Sequence, residues 1–598
     1  MIRPARAATL AALWSLLPGA APEAPRPSTT REVAEQGYRV RLDLAPQVLS
    51  IEIPEEHVYG EREAMEAPIR PTLGGIGGEM VSGSMLAQKA KQFDDGLHAA
   101  VELAAQDGAG IFAGKASMLR GLAARTRPGA MASGRNNAVS VLLAACRLGK
   151  VPVEVPTSLE AAVDAVERQF LADPLRSRPM GFYTGSPALS DIFRQDRMLQ
   201  SELEGAEGIG RLARALADEP EPRATYDAYL SLTDRLTNPG SGLADLRGVV
   251  RAIQSGRPGK IPDKGVAVFP ASRGHETDLV MKLYGNKPIP DGFSLVDEMV
   301  RRIRSGRLDL KPTARSGWYD YQTWALEPLV VPEKMPEAAR LRLGPEYRKQ
   351  LLELFQGVLA LTRETHVKQL AFPTAGAMLP VSEKPPVVID IRPDLPAEPL
   401  VTYYWRRAES YEFIREALRT TFGPAGLEAI RRRSAPGADS TSLAAELDAM
   451  IGLFRGAAEA TARRLGMPLD PAPDAAEASF RSWAKAAGDD PDVGRDSRMM
   501  VPVFYDLVRR KSKVWVFLGW SSRPAVVSFA TPPTFETFRD GRKVEGKEAP
   551  RVNFRPSVQP LAYPVTAEVY VDELLDRDQF RKLCDIHKTR KAILGHLK

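Results

Sequence analysis

A chain of 598 residues, 44% apolar and 26% charged, is long enough for roughly two to four hydrophobic cores and too apolar for a disordered polymer. Its 81 basic and 75 acidic side chains leave a formal charge of +6, a near balance that hints only weakly at anionic partners, and no nucleic-acid motif accompanies its short basic runs. Two cysteines, Cys146 and Cys584, exclude a disulfide scaffold and a four-cysteine metal site, leaving one long-range bridge or two separate buried thiols.

The first residues follow the pattern of an export signal. Arg3 and Arg6 precede an apolar run, Ala7 to Leu17, that is too short to span a bilayer, and Gly19-Ala20-Ala21 supplies small residues for a peptidase. Pro22 directly after this point is unfavourable for cleavage. Residues 1–21 are therefore expected to be a secretory signal and 22–37, with prolines at 22, 25 and 27, a stiff linker. No later stretch has the length of an uninterrupted membrane span, so export to the periplasm or medium is the expected destination.

Tyr38/Val40/Leu42/Leu44 and Leu49/Ile51/Ile53 alternate as strand residues do, with Pro46 interrupting them. The glycine-rich stretch 68–83 cannot hold a regular element. From Ser84 the spacing turns helical, with Leu86, Ala90, Phe93, Leu97 and Val101 on one face. Further helices are expected over 136–148, 158–171, 187–203, 209–216, 226–236 and 243–253. Thr157 with Glu160 has capping-box spacing, and Ser186 before Pro187 suits a helix start. Gly265 to Phe269 reads as a buried strand and 346–370 as a long helix. Helices return over 404–422 and 443–465. Met499–Phe504, Lys513–Leu518, Val526–Phe529 and Ala562–Val571 suggest a small antiparallel sheet, followed by a basic helix over 574–597. No repeat has a fixed period.

The expected fold is thus mostly α: a long multi-helix body with a short N-terminal β segment and a small C-terminal α+β domain. The boundaries implied are a main domain over 38–380, a linker over 381–399, a helical segment over 400–495 and the α+β domain over 496–598.

Catalytic motifs fail one by one. Gly74-Gly75-Ile76-Gly77-Gly78 follows no buried strand, and Gly114-Lys115 lacks the first glycine and the hydroxyl of a phosphate loop. His275 and Asp278 lack the second histidine of a zinc peptidase, and Cys584 with His587 is half a zinc site. Ser482-Trp483-Ala484-Lys485 has none of the partner motifs of penicillin-recognising enzymes, and Gly-x-Ser-x-Gly is absent. No metal and no cofactor are expected.

The most suggestive stretch is 316–327. Trp318, Tyr319, Tyr321 and Trp324 offer aromatic faces of the kind that suit sugar rings, and Asp320 and Glu327 would share a face two turns apart on a helix. Glu364 as a further binding group and His366 as a further catalytic one would complete the cleft. Packing of these aromatics in a core is the competing reading. Two functions follow: an exported binding or scaffold protein of the cell envelope, or an exported glycan hydrolase with Asp320 and Glu327 as its acid and base. The expected partner is a glycan or another envelope component. An intracellular protein whose basic C-terminal helix meets an acidic partner is a third possibility.

Overall fold

In a computed structural model of the chain, the described residues are 30–35, 38–43, 46–50, 80–126, 138–256, 259–285, 287–371, 395–432, 441–467, 474–529, 535–544 and 557–597. The expected signal, the Gly74–Gly78 run and most of the 381–399 boundary lie outside them.

The protein is mostly α. Its helices begin and end where local chemistry dictates. The helix Gly83–Asp107 starts at Ser82, whose hydroxyl accepts the Met85 amide at 3.1 Å, and stops at Gly108, whose φ of +96° few other residues would adopt. Its apolar stripe is buried as the spacing requires; each of Leu86, Phe93, Leu97 and Val101 contributes about 1.5–3 kcal/mol by leaving water. Ser186 caps the helix Pro187–Leu199 through the Leu189 amide, as expected. Thr157, by contrast, is the first helical residue of Thr157–Leu171, after Pro156, and no side chain caps that end. The expected helix over 404–422 is Val401–Ala429 in extent, with a break at Gly423, where φ is +72° and Pro424 follows.

The strands assemble into two sheets. In the first, β1 (Thr30–Glu35), β2 (Tyr38–Asp43), β7 (Phe535–Arg539) and β8 (Arg542–Val544) pair antiparallel in that order. β1 lies within the stretch expected to be linker. In the second, β4 (Arg342–Leu343), β3 (Pro46–Ser50), β6 (Lys511–Phe529) and β5 (Met499–Asp506) lie side by side, and β9 (Ser557–Val571) pairs with β6. Pro46 therefore does more than interrupt one strand. It starts a second one, and the two belong to different sheets.

The runs Lys513–Leu518 and Val526–Phe529 are parts of the single strand β6. Between them Gly519, at φ +134°, sits at a register shift against β9 and forms a bulge, not a turn. The alternation along β6 sends Val514, Val516 and Leu518 towards Phe580, Cys584 and Ile593 on the C-terminal helices. Phe517 packs instead with Leu361 and Trp520, and Trp515 joins the main core. That core runs without interruption from Val48 to Tyr563. Gly265–Phe269 makes only single bridges, with Val266 meeting Leu203 and Ala244. The expected helix over 574–597 is two, Arg577–His587 and Arg590–Leu597, separated by Lys588 at φ +54°.

Candidate functional site

The helix Gly83–Asp107 carries a second stripe beside its apolar one. Gln88, Lys91, Asp95, His98, Glu102 and Gln106 follow one another at intervals of three or four and so share a face roughly 27 Å long. Such a stripe ordinarily faces water. Here none of the six is more than 6% exposed. A buried charge persists only with compensating partners, and the rest of the fold supplies them.

At one end, Gln88 donates to the Arg495 carbonyl and accepts from the Ser497 hydroxyl, each at 2.6 Å. Next comes a neutral quartet of two cations and two anions. Lys91 donates to Asp95 at 2.7 Å, to Glu364, and to the Thr365 hydroxyl at 2.8 Å. Arg577 closes it by donating to Glu364 at 2.7 Å and approaching Asp95 at 3.5 Å. Burial by itself would raise the Glu364 carboxyl, but Arg577 and then Lys91 outweigh it and hold the group at about 2.

A second neutral quartet lies further along. Lys368 meets Glu102 at 2.5 Å and Asp196 at 2.7 Å, and Lys115 donates to Asp196 at 2.5 Å. Tyr183 and Gln369 also donate to Glu102, and Tyr229 donates to Asp196. Burial opposes the charge on Asp196, yet Lys115 and Lys368 keep its carboxyl well below the usual range. Gln106 exchanges hydrogen bonds with Gln195 at 3.0 Å.

His98 stands between the quartets and differs from its neighbours. Its ring stacks on Trp318 at 5.5 Å and meets His366 edge-on at 4.6 Å, with Phe182 at 5.8 Å. Neither ring nitrogen has a hydrogen-bond partner among the described residues. Burial, then the nearby charges of Lys368 and Lys91, depress its pKa to about 3, so the imidazole is neutral. His366 is depressed too, by burial first and then by His98, Lys91 and Arg407. Its Nε2 faces the Gln322 carbonyl oxygen at 2.7 Å and its Nδ1 the Thr237 hydroxyl at 3.2 Å. That pair of partners fits an Nε2–H donor and an Nδ1 acceptor. Gln322 in turn donates to Asp94, which Arg407 and Tyr411 also hold.

The side chains nominated by sequence fall into two groups. Trp318, Tyr319, Glu364 and His366 are buried in this interior. Tyr319 donates to Glu276 at 3.0 Å, which Arg363 also pairs, and its ring lies 5.1 Å from His366. Asp320, Tyr321, Trp324 and Glu327 are half-buried. Asp320 accepts from Asn238 at 2.8 Å and from Ser316 at 2.7 Å, and His275 Nε2 stands 3.4 Å away. Glu327 accepts from Arg406 at 2.7 Å; that guanidinium also covers the Trp324 ring at 4.2 Å. Tyr321 stacks on Phe413 at 4.3 Å. The segment is two short helices, Trp318–Trp324 and Glu327–Val330, so Asp320 and Glu327 belong to separate elements with separate partners.

The remaining motifs settle into structural roles. Lys115, from the Gly114-Lys115 pair, is a member of the second quartet. Cys146 and Cys584 are free and buried, each thiol pushed up to about 12 by burial. His587 stacks on His596 at 3.7 Å. Among the described residues no three His, Cys, Asp or Glu side chains are grouped to hold a metal ion, and no helix is long and apolar enough to cross a membrane.

Sequence reasoning passed over Lys91, Asp95, His98, Glu102, Asp196, Lys368 and Arg577, and weighed Lys115 only as a phosphate-loop lysine. The available signal was the polar stripe at helical spacing next to an apolar stripe, on a helix whose remaining face holds many small residues. No family model, curated protein or solved structure matches the chain.

Proposed function

We propose that this chain is an exported binding or scaffold protein of the cell envelope, with an interior built as a rigid polar frame instead of a reaction centre. The observation that supports this reading most directly is the engagement of every side chain nominated for chemistry. Asp320 is held by Asn238 and Ser316, Glu327 by Arg406, Glu364 by Lys91 and Arg577, and His366 by Gln322 and Thr237. Releasing a carboxylate from a buried pair such as that of Glu364 costs about 3–5 kcal/mol, a deficit from which any reaction there would start. Arg3, Arg6 and the apolar run Ala7 to Leu17 support export.

Sequencing the N-terminus of the natively produced protein, together with cross-linking in intact cells, tests both halves. A mature end near residue 22 and cross-links to envelope components are expected. An intact Met1 with cytoplasmic partners alone would overturn the reading.

One observation favours a second reading, hydrolysis. His275 and Asp320 form a partly buried imidazole–carboxylate pair at 3.4 Å, the arrangement by which a carboxylate orients a general base. Release of reducing ends from envelope glycans by the purified protein, lost in Asp320→Asn at unchanged thermal midpoint, would replace the binding reading with this one.

A further inference from the structure

A surface cleft of about 360 Å³ lies between the turns after Glu327–Val330, strand β4 and the start of the Val401–Ala429 helix. This is within the ~300–1,000 Å³ range of small-molecule sites. Its walls are largely proline and leucine, including Pro328, Pro332, Leu341 and Leu400. Two arginines, Arg342 and Arg348, line the same space. Both are exposed, and neither has an ion-pair partner among the described residues.

The carboxylates of the lining do not neutralise them. Glu337 is buried and turned to the helix start, accepting the Thr402 amide at 3.1 Å and the Thr402 hydroxyl at 2.6 Å. The helix N-terminus is thereby already served. Glu333 is exposed and makes no ion pair with either arginine. Two guanidinium groups with no ion-pair partner among the described residues, beside an apolar wall, suit an oxyanion carried on an aliphatic body, and a carboxylate is the smallest such group that a guanidinium fork holds.

We infer that this cleft binds a small amphipathic carboxylate, its anionic end on Arg342 and Arg348 and its hydrocarbon against the proline–leucine wall. The inference rests on the binding reading and gives it a ligand class. Because the cleft lies apart from the buried quartets, its occupation leaves their bonds intact.

Isothermal titration of the full chain with decanoate, decanamide and acetate is the test. Decanoate should bind with 1:1 stoichiometry at a Kd below about 1 mM, and the other two at least about tenfold more weakly, since each lacks one half of the recognition. Arg342→Ala and Arg348→Ala should each weaken decanoate about tenfold, and Ala338→Trp, which fills the cleft from an exposed position, should abolish binding. Circular dichroism and the thermal midpoint should be unchanged in all three, because no bond within the fold is removed. Equal affinity for decanamide, unchanged affinity in the variants, or no heat from decanoate would each overturn the inference. Any of these failures would leave the cross-linking result, and with it the envelope reading, standing.

Discussion

Replacing His98 with phenylalanine should flatten the acid dependence of stability. In the folded protein His98 stays neutral down to about pH 3, whereas in the unfolded chain it takes up a proton near its ordinary value of 6.5. Between these limits the unfolded state binds more protons, so stability is complete above pH 6.5 and falls as the solution is acidified. From pH 6.5 to 5.0 the loss is 1.5 pH units at ~1.4 kcal/mol each, or about 2 kcal/mol for one histidine. His366, also held neutral by burial, shifts stability in the same direction, so His98→Phe should keep part of the slope while losing about 2 kcal/mol less than the native protein over this range. At pH 7 the variant should differ little. The larger ring costs about 1–3 kcal/mol in a packed interior, and removing two buried nitrogens that have no partner among the described residues returns a similar amount. Urea unfolding at pH 6.5 and 5.0, followed by tryptophan fluorescence, measures the slope. With six histidines in the chain, ring-carbon NMR resolves the proton directly. A His98 resonance that titrates near pH 6.5, or a variant that retains the full slope, would refute the reasoning.

Three further outcomes follow from the structure. Glu364→Gln leaves Lys91 and Arg577 facing Asp95 alone and should cost about 3–5 kcal/mol in urea unfolding; adding Lys91→Met should recover part of the loss. Gly181→Ala should lower the thermal midpoint, because φ is +61° there, a strain of about 1–2 kcal/mol, and the added methyl would lie 2.8 Å from a Glu364 oxygen. Lys588→Gly should raise stability by about 1 kcal/mol, since the residue closes the Arg577–His587 helix at φ +54° without needing its side chain in the core.

Local chemistry made most of the helices readable. Leu443–Arg464 and Pro345–Thr365 begin within a residue of where the apolar periodicity starts, and the reading that stopped at Phe422 stopped at the Gly423 break. The helices Lys115–Arg125 and Leu295–Arg304 were passed over because charges and small residues blur their periodicity. β6 was divided because Gly519, Ser521, Ser522 and Pro524 are ordinary turn residues, and only pairing with β9 on one side and with β3 and β5 on the other keeps them extended. The interior failed to show itself for a different reason. Lys91 and Asp95 are four apart, but Lys91 meets Glu364 across 273 positions and Lys115 meets Asp196 across 81. A lysine in a sequence says nothing of whether its counter-ion will arrive. The aromatic run at 318–324 was noticed for the right residues, since Trp318 borders both central histidines and Tyr319 borders His366, but composition could not distinguish a sugar platform from a wall around an imidazole.

The spacing of the first quartet also sets an order of events during synthesis. When residue 464 has been made, Lys91 confronts Asp95 and Glu364, one cation against two anions, and the balancing charge of Arg577 lies more than a hundred residues ahead. β3 waits likewise for β6. Loop closure over such distances is slow, and the charge imbalance opposes early collapse of this helix. The nascent chain therefore cannot complete this interior until Arg577 has been made.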